Sequence, residues 1–100
     1  MADFMPRMDL SVDEMTGKIR AAYIRVRSGQ VHETREVAEG RAFADYSKAG
    51  LLLGIELLGP CSIAVLDRLS RKEPAPVRRF LRASPPRAFV RASRTRSWQG

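Results

Sequence analysis

Glycine-containing turns divide the first 60 residues of this chain into short segments of strand character. Each segment either alternates apolar with polar residues or is rich in β-branched and aromatic residues, which is typical of β-strands. The predicted strands cover 8–12, 19–27, 30–37, 41–46 and 51–58. The turn before the second strand ends at Gly17, which can take a positive φ. The first 60 residues therefore predict a small antiparallel sheet.

Three of these segments predict how the sheet is built. Ser28-Gly29 separates the second strand from the third, and a two-residue connection that ends in Gly is typical of a tight hairpin. The third segment is much more polar than the second, which predicts an edge strand or a strand with one solvated face. The fifth segment, 51–58, is the most apolar and has leucines on both faces, so we expect helices to cover the sheet.

Helical periodicity begins after Gly59-Pro60. Apolar residues recur there at helical spacing and predict two amphipathic helices, over 61–71 and 76–83. Ser62 would cap the first helix. The apolar positions are Ile63, Leu66 and Leu69 in the first helix and Val77, Phe80 and Leu81 in the second.

Beyond Ser84 the pattern dissolves into Arg and Ser with few bulky apolar residues. Such a segment cannot bury enough apolar surface to offset its ordering entropy, so 84–100 is predicted to be a disordered basic tail. A chain of 100 residues allows one domain, predicted over 1–83. The predicted fold class is α+β, a small antiparallel β-meander of four to five strands covered by one or two C-terminal helices.

Composition argues against several functional classes. Cys61 is the only cysteine and His32 the only histidine, which excludes an intrachain disulfide and a Cys/His zinc site. No apolar run reaches the roughly 18 residues of a transmembrane helix, and the N-terminus lacks the basic region of a secretion signal. No phosphate-binding glycine loop, nucleophile motif or metal motif occurs. We therefore expect a cytoplasmic protein with no enzymatic activity, no catalytic or metal-binding residues, no cofactor and no membrane partner.

A series of short motifs between residues 8 and 58 resembles a known family. In order, the motifs are Tyr23-Ile24-Arg25-Val26, Ser28-Gly29, Thr34-Arg35-Glu36-Val37, Ala44-Asp45-Tyr46 and Gly54-Ile55-Glu56-Leu57-Leu58. Together they resemble the small bacterial family catalogued as domain of unknown function 2283, and the last motif is the most specific. The resemblance implies a small β-meander, often followed by a helix, and no established activity. The chain departs from the family at Arg20-Ala21-Ala22, where members have an acidic residue and Ala-Leu, and beyond residue 58.

Two acidic residues of these motifs, Asp45 and Glu56, lie on neighbouring predicted strands. If those strands pair around Ser47–Gly50, the two carboxylates share a face and Tyr23 lies near them. One interpretation is a small polar site. The other, which we favour, is a hydrogen-bonded cross-strand cluster that fixes the register of the sheet. Gly54 suits either a bulge or a close approach to the backbone.

Charge is distributed unevenly along the chain, whose net charge is +7. Residues 1–60 contain 8 Lys and Arg against 9 Asp and Glu, whereas residues 61–100 contain 10 against 2. Nine of those ten cations are Arg, which contacts phosphate bidentately and stacks on bases, as aromatic residues also do. The candidate nucleic-acid-binding residues are Arg71, Lys72, Arg78, Arg79, Arg82, Arg87, Arg91, Arg94, Arg96 and Trp98.

This charge split predicts a non-enzymatic binding module whose Arg-rich C-terminal segment contacts nucleic acid, for example within a ribonucleoprotein. The alternative is a protein-interaction or regulatory component that binds a cognate protein through its sheet or helix face. A basic tail also suits an acidic protein partner, or serves only solubility. A thin core and an exposed sheet face, with Leu52 and Leu58 uncovered, would in addition permit a homodimer.

Overall fold

A five-stranded antiparallel sheet forms one layer of the protein, and two helices pack against one face of it. The computed structural model describes residues 4–91, without the side chain of the last of these. The strands are β1 (Arg7–Val12), β2 (Ile19–Arg25), β3 (Glu33–Ala38), β4 (Ala42–Tyr46) and β5 (Leu52–Leu57). They lie in the order β1-β2-β5-β4-β3. The predicted α+β fold class, with a small antiparallel sheet and C-terminal helices, is confirmed.

The predicted hairpin between the second and third strands is wrong. β5 lies between β2 and β4, so that Ile55 is opposite Ile24 on one side and Ala44 on the other. The physical reason is burial, because β5 is the most apolar strand and all of its residues except Glu56 are buried in the central position. The turn at Ser28-Gly29 therefore begins a crossover to the far edge of the sheet, where β3 pairs with β4.

The other predicted turns and the polar edge strand are confirmed. β1 and β2 form a hairpin whose turn is held by Asp13, the Oδ1 atom of which accepts hydrogen bonds from the amides of Met15 and Thr16. Gly17 ends this turn with a φ of 74°. β3, the polar third strand, lies at the edge of the sheet opposite to β1.

The core lies between the sheet and the helices. Its buried sheet residues are Ala22, Ile24, Val26, Ala42, Ala44, Leu52, Ile55 and Leu57, and its buried helical residues are Leu66, Val77 and Leu81. The expectation that Leu52 is uncovered is wrong, because a register shift between Asp45 and Tyr46 brings it opposite the partly buried Tyr46. Leu58 is 44% exposed, as expected.

Two helices, α1 (Ile63–Leu69) and α2 (Ala75–Ala83), cover this face. Ser62 caps α1, and its Oγ accepts a hydrogen bond from the amide of Ala64 at 3.1 Å. α1 is shorter than the predicted 61–71 because Cys61–Ser62 is an extended segment, β6, that pairs in parallel with β7 (Val90–Arg91). Residues 61–91 are called the helical layer, and residues 7–57, which contain β1–β5, the sheet layer.

The prediction of a disordered tail is wrong for residues 84–91. Arg87–Phe89 forms a 3₁₀ turn that leads into β7, and Phe89 is only 7% exposed within the core cluster. Burial of this one large ring stabilises the segment, although its composition is poor in apolar residues. Residues 84–91 therefore pack with the domain. The remainder of the predicted tail, 92–100, lies outside the described residues.

Candidate nucleic-acid interface

An open cleft of about 480 Å³ lies between the two helices and is lined mainly by arginine. This basic cleft is formed by Asp67, Ser70, Arg71, Arg78, Arg79 and Arg82. A single carboxylate therefore faces four guanidinium groups. Such a set of bidentate donors matches the oxygen atoms of phosphate or carboxylate groups.

Helical periodicity places these side chains in the cleft. On α2, Val77 and Leu81 are buried against the core, so Arg78 and Arg79 between them are directed away from the sheet. Arg78 and Arg82 are one turn apart on that outer face, and Arg79 lies beside them. All three arginines of α2 are exposed, as expected for the polar face of an amphipathic helix.

The arginines of the cleft differ in how they are paired. Arg82 Nη1 lies 3.2 Å from both carboxylate oxygens of Asp67, and Arg78 donates to the main-chain carbonyl of Glu73. Within residues 4–91, no hydrogen bond or ion pair engages the side chains of Arg71 and Arg79. These two guanidinium groups are therefore available to a ligand.

Glu73, the other acidic residue of the helical layer, is paired with an arginine of the sheet layer. Arg27 Nη2 donates to Glu73 Oε1 at 2.6 Å and Arg27 Nη1 donates to Oε2 at 3.3 Å. Arg27 is only 6% exposed and also donates to the carbonyl of Leu52. Because this buried pair neutralises Glu73, it leaves Asp67 as the carboxylate that faces the cations of the cleft.

The remaining predicted basic residues are not all in the cleft. Lys72 is exposed beside Arg71 and lines a neighbouring depression between the helices and β5. Arg87 is exposed on the 3₁₀ turn. Arg91 ends β7, and its side chain is not described. Arg94, Arg96 and Trp98 lie outside the described residues.

The structure brings Tyr23 and Asp45 together on the open face of the sheet, the face without helices. Tyr23 Oη donates to Asp45 Oδ2 at 2.9 Å, and Thr34 Oγ1 donates to Asp45 Oδ1 at 2.6 Å. We call these three residues the Asp45 cluster. Because Tyr23 lies on β2 and Asp45 on β4, their hydrogen bond crosses the intervening strand β5.

Gly54 on β5 makes this crossing feasible. A Cβ atom at Gly54 would lie 2.3 Å from Tyr23 Oη and 2.6 Å from Cζ, so only glycine leaves room for the phenol ring. Burial of the ring, followed by its hydrogen bond to Asp45, raises the pKa of Tyr23 to about 12. At neutral pH the phenol therefore stays protonated and serves as a hydrogen-bond donor.

Glu56 lies directly opposite Tyr23 and Phe43 in the register but takes no part in the hydrogen bonds of the Asp45 cluster. Both oxygens of Asp45 already accept hydroxyl donors. These hydrogen bonds join β2, β3 and β4 across β5 and favour one register of the sheet. Among residues 4–91 there is also no cluster of three or more His, Cys, Asp or Glu side chains arranged to hold a metal ion.

Sequence reasoning missed three contributors to these sites. Thr34 joins the Asp45 cluster only through the pairing of β3 with β4, which no local pattern specifies. The Arg27–Glu73 pair joins residues 46 positions apart in the chain. Asp67 pairs with Arg82, which lies 15 positions away on the other helix, so no local pattern specifies this pair either.

Comparisons of the chain with protein-family models, with curated proteins and with solved structures find no match. The resemblance of residues 8–58 to the family of domain of unknown function 2283 therefore stays a prediction. Among the described residues, no helix combines the length and the apolar character that crossing a membrane requires.

Proposed function

We propose that this protein is a non-enzymatic binding module that contacts the phosphate backbone of nucleic acid through the basic cleft and the Arg-rich segment after it. The main support for this proposal is the cleft itself, where three arginines of α2 and Arg71, which follows α1, surround one carboxylate. A cytoplasmic location and a ribonucleoprotein setting belong to the same proposal.

Charge balance supports a polyanionic ligand. Residues 61–100 contain two acidic residues, and both already have a basic partner. Glu73 takes its partner from the sheet layer, so its pairing uses none of the cations of the helical layer. The helical layer therefore keeps an excess of positive charge, which attracts the phosphate backbone and steers association.

The contacts that this cleft offers are to phosphate and carry no base preference. Arginine forks match phosphate oxygens, whereas base-specific reading requires side chains that reach the base edges. Aromatic stacking on unpaired bases would add to the affinity for a single strand, and Trp98 is the predicted residue for it. We therefore expect binding to single-stranded RNA and DNA with similar affinity.

The decisive experiment measures the affinity of the full chain for a labelled oligonucleotide across a salt series. Each phosphate contact contributes about −0.7 to the slope of log affinity against log salt for a single strand. The variant Arg71→Gln/Lys72→Gln/Arg79→Gln removes three exposed cations in and beside the cleft and is expected to reduce the magnitude of the slope by about 2.

The matched control is Lys18→Gln/Arg20→Gln/Lys48→Gln, which removes the same charge from exposed positions of residues 1–60. It is expected to change the slope little, because these cations lie outside the helical layer. Equal losses in the two variants would show that net charge alone drives binding and would contradict a defined interface. A slope near zero in the wild type would favour the alternative function, binding of a cognate protein.

A variant with the opposite effect tests the geometry of the cleft. Asp67→Asn removes the one carboxylate and frees Arg82 from its ion pair. We expect tighter oligonucleotide binding, by about threefold to tenfold, because one repulsive charge is lost and one guanidinium is gained. Asp9→Asn, which breaks the exposed Arg7–Asp9 pair on β1, is the matched control and is expected to leave the affinity unchanged.

A further inference from the structure

The two edges of the sheet differ in chemistry. β3 presents Glu33, Arg35 and Glu36 to solvent, and charged side chains protect an edge strand against pairing with another strand. β1 instead presents Met8, Leu10 and Val12, which are 39%, 45% and 49% exposed. We call these three residues the β1 stripe. An edge with exposed apolar side chains is a template for a further strand.

The β1 stripe continues the core face of the sheet. Met8 lies opposite Ile24 and Leu10 lies opposite Ala22, and both of these β2 residues are fully buried under the helices. Side chains that are directly opposite in a sheet share a face. The stripe is therefore the lateral margin of the core, which the two helices leave half-exposed.

The backbone amide and carbonyl groups of β1 that do not pair with β2 belong to the residues of the β1 stripe. On β2, the amide of Val26 donates to the carbonyl of Leu53 on β5 at 2.8 Å. Because antiparallel strands direct the backbone groups of alternate residues to opposite sides, those of Tyr23 are directed to Asp9 on β1. By the same alternation, the backbone groups of Leu10 are directed outward, away from β2.

We propose that two copies of this protein pair through β1 in antiparallel orientation, with Leu10 on the two-fold axis, and so form one continuous sheet. In this register Met8 lies opposite Val12 of the second copy, and the two stripes cover each other. Arg7 lies opposite Asp13 of the second copy, and opposite charges in this position stabilise the pair. Opposite charges therefore pair on the open face of the joined sheet, while the apolar side chains of the β1 stripe pair on its core face.

The nearest alternative register is disfavoured. A shift that places Met8 opposite Leu10 of the second copy also places Asp9 directly opposite Asp9, and like charges in that position repel. In the proposed register Asp9 instead faces Ser11 of the second copy, whose hydroxyl can donate to the carboxylate. The pairing surface is isologous, as a two-fold dimer requires.

Sedimentation analysis of the full chain over a concentration series tests the proposal. We expect a monomer–dimer equilibrium, and a monomer that persists to about 1 mM, the weak end of specific association, would overturn it. Leu10→Lys places a charge on the two-fold axis at an exposed site and is expected to weaken dimerisation by at least about tenfold. Leu58→Lys is the control, since Leu58 is 44% exposed outside β1 and its replacement is expected to leave the dimer intact.

Cross-linking tests the register without altering the stripe. Two single variants, Asp9→Cys and Ser11→Cys, are prepared separately, mixed and oxidised under mild conditions. Because Asp9 faces Ser11 across the proposed axis, an intermolecular disulfide is expected in the mixture and not in either variant alone. Efficient cross-linking of Asp9→Cys by itself would overturn the proposed register, and cross-linking in none of the samples would overturn the pairing of β1.

Discussion

The sheet layer and the helical layer use their charged residues in different ways. In the sheet layer, the Asp45 carboxylate accepts hydrogen bonds from Tyr23 and Thr34 and holds neighbouring strands in register. In the helical layer, Arg71 and Arg79 are directed into an open cleft, and within residues 4–91 no carboxylate pairs with them. Polar groups of the first kind are satisfied within the fold, whereas those of the second kind have no partner among the described residues.

One ion pair crosses from the first layer to the second. Arg27 follows β2 in the sheet layer, and Glu73 lies between the two helices. The Nε atom of Arg27 is buried and lacks a hydrogen-bond partner among the described residues, so this pair is incompletely satisfied. Such a buried pair fits a role in fixing where the helices lie on the sheet, as buried polar groups do in some proteins.

The largest expected effect on stability comes from breaking the Arg27–Glu73 ion pair. Arg27→Met keeps an unbranched apolar side chain in place of the arginine stem and leaves the mostly buried carboxylate of Glu73 without a partner. We expect the free energy of unfolding to fall by about 3–5 kcal/mol in urea titrations. Arg82→Met breaks the exposed pair with Asp67 and is expected to cost less than about 1 kcal/mol.

A double variant separates pairing from packing. In Arg27→Met/Glu73→Leu neither charge is buried, so much of the lost stability is expected to return. If the double variant were as unstable as Arg27→Met, loss of packing around Arg27 would explain the effect, and the pair would not join the layers electrostatically.

The next largest effect concerns where the helical layer ends. Phe89 is buried in the core although the sequence around it is basic and poor in apolar residues. Phe89→Ala is expected to lower the free energy of unfolding by about 3 kcal/mol, because it leaves a cavity beside the helices. Thermal unfolding followed by circular dichroism measures this loss. Val31→Ala, at a 48% exposed position, is the control, and an equally small effect at both sites would contradict the packing of residues 84–91.

Local patterns in the sequence predict the elements of this fold better than their arrangement. The five strands follow from alternation and turn residues, because those signals lie within each segment. The central position of β5 does not follow, since it depends on burial shared with β2 and β4. The Ser28-Gly29 turn is real, but a turn signal does not specify which strand comes next in the sheet.

The candidate sites show the same limit. Arg78, Arg79 and Arg82 are predictable from helical periodicity, because their placement depends on one helix alone. Tyr23 and Asp45 are suggested by their motifs, whereas Thr34 requires the register of β3 against β4. The burial of Phe89 is not predictable from local sequence, because the surface that buries it belongs to other elements of the chain. Local sequence patterns therefore do not specify the contacts between distant segments of the chain.

A smaller effect is expected from closing the space over β5. In Gly54→Ala the new Cβ would overlap the phenol of Tyr23, so the ring must move away and release Asp45. We expect a loss of about 1–3 kcal/mol in urea titrations. Gly59→Ala is the control, because a Cβ there would approach only Arg41, at 3.5 Å. The loss is expected to shrink in a Tyr23→Ala background, where the overlap no longer exists.

The smallest expected effect at neutral pH comes from the hydroxyl of Tyr23. Tyr23→Phe removes one hydrogen bond to Asp45 and is expected to cost about 1 kcal/mol. The pKa of Tyr23 is about 12 in the folded protein, against about 10 for an unperturbed tyrosine. Because the unfolded chain loses this proton first, the contribution of Tyr23 is fully present below about pH 10 and is lost as the pH rises to about 12.

The pH dependence distinguishes Tyr23 from the other donor to Asp45. The free energy of unfolding of the wild type should fall toward that of Tyr23→Phe between about pH 10 and 12. Thr34→Val removes a hydroxyl that does not titrate in this range, so its difference from the wild type should stay constant. A constant difference for Tyr23→Phe as well would mean that the phenol is not held as a protonated donor.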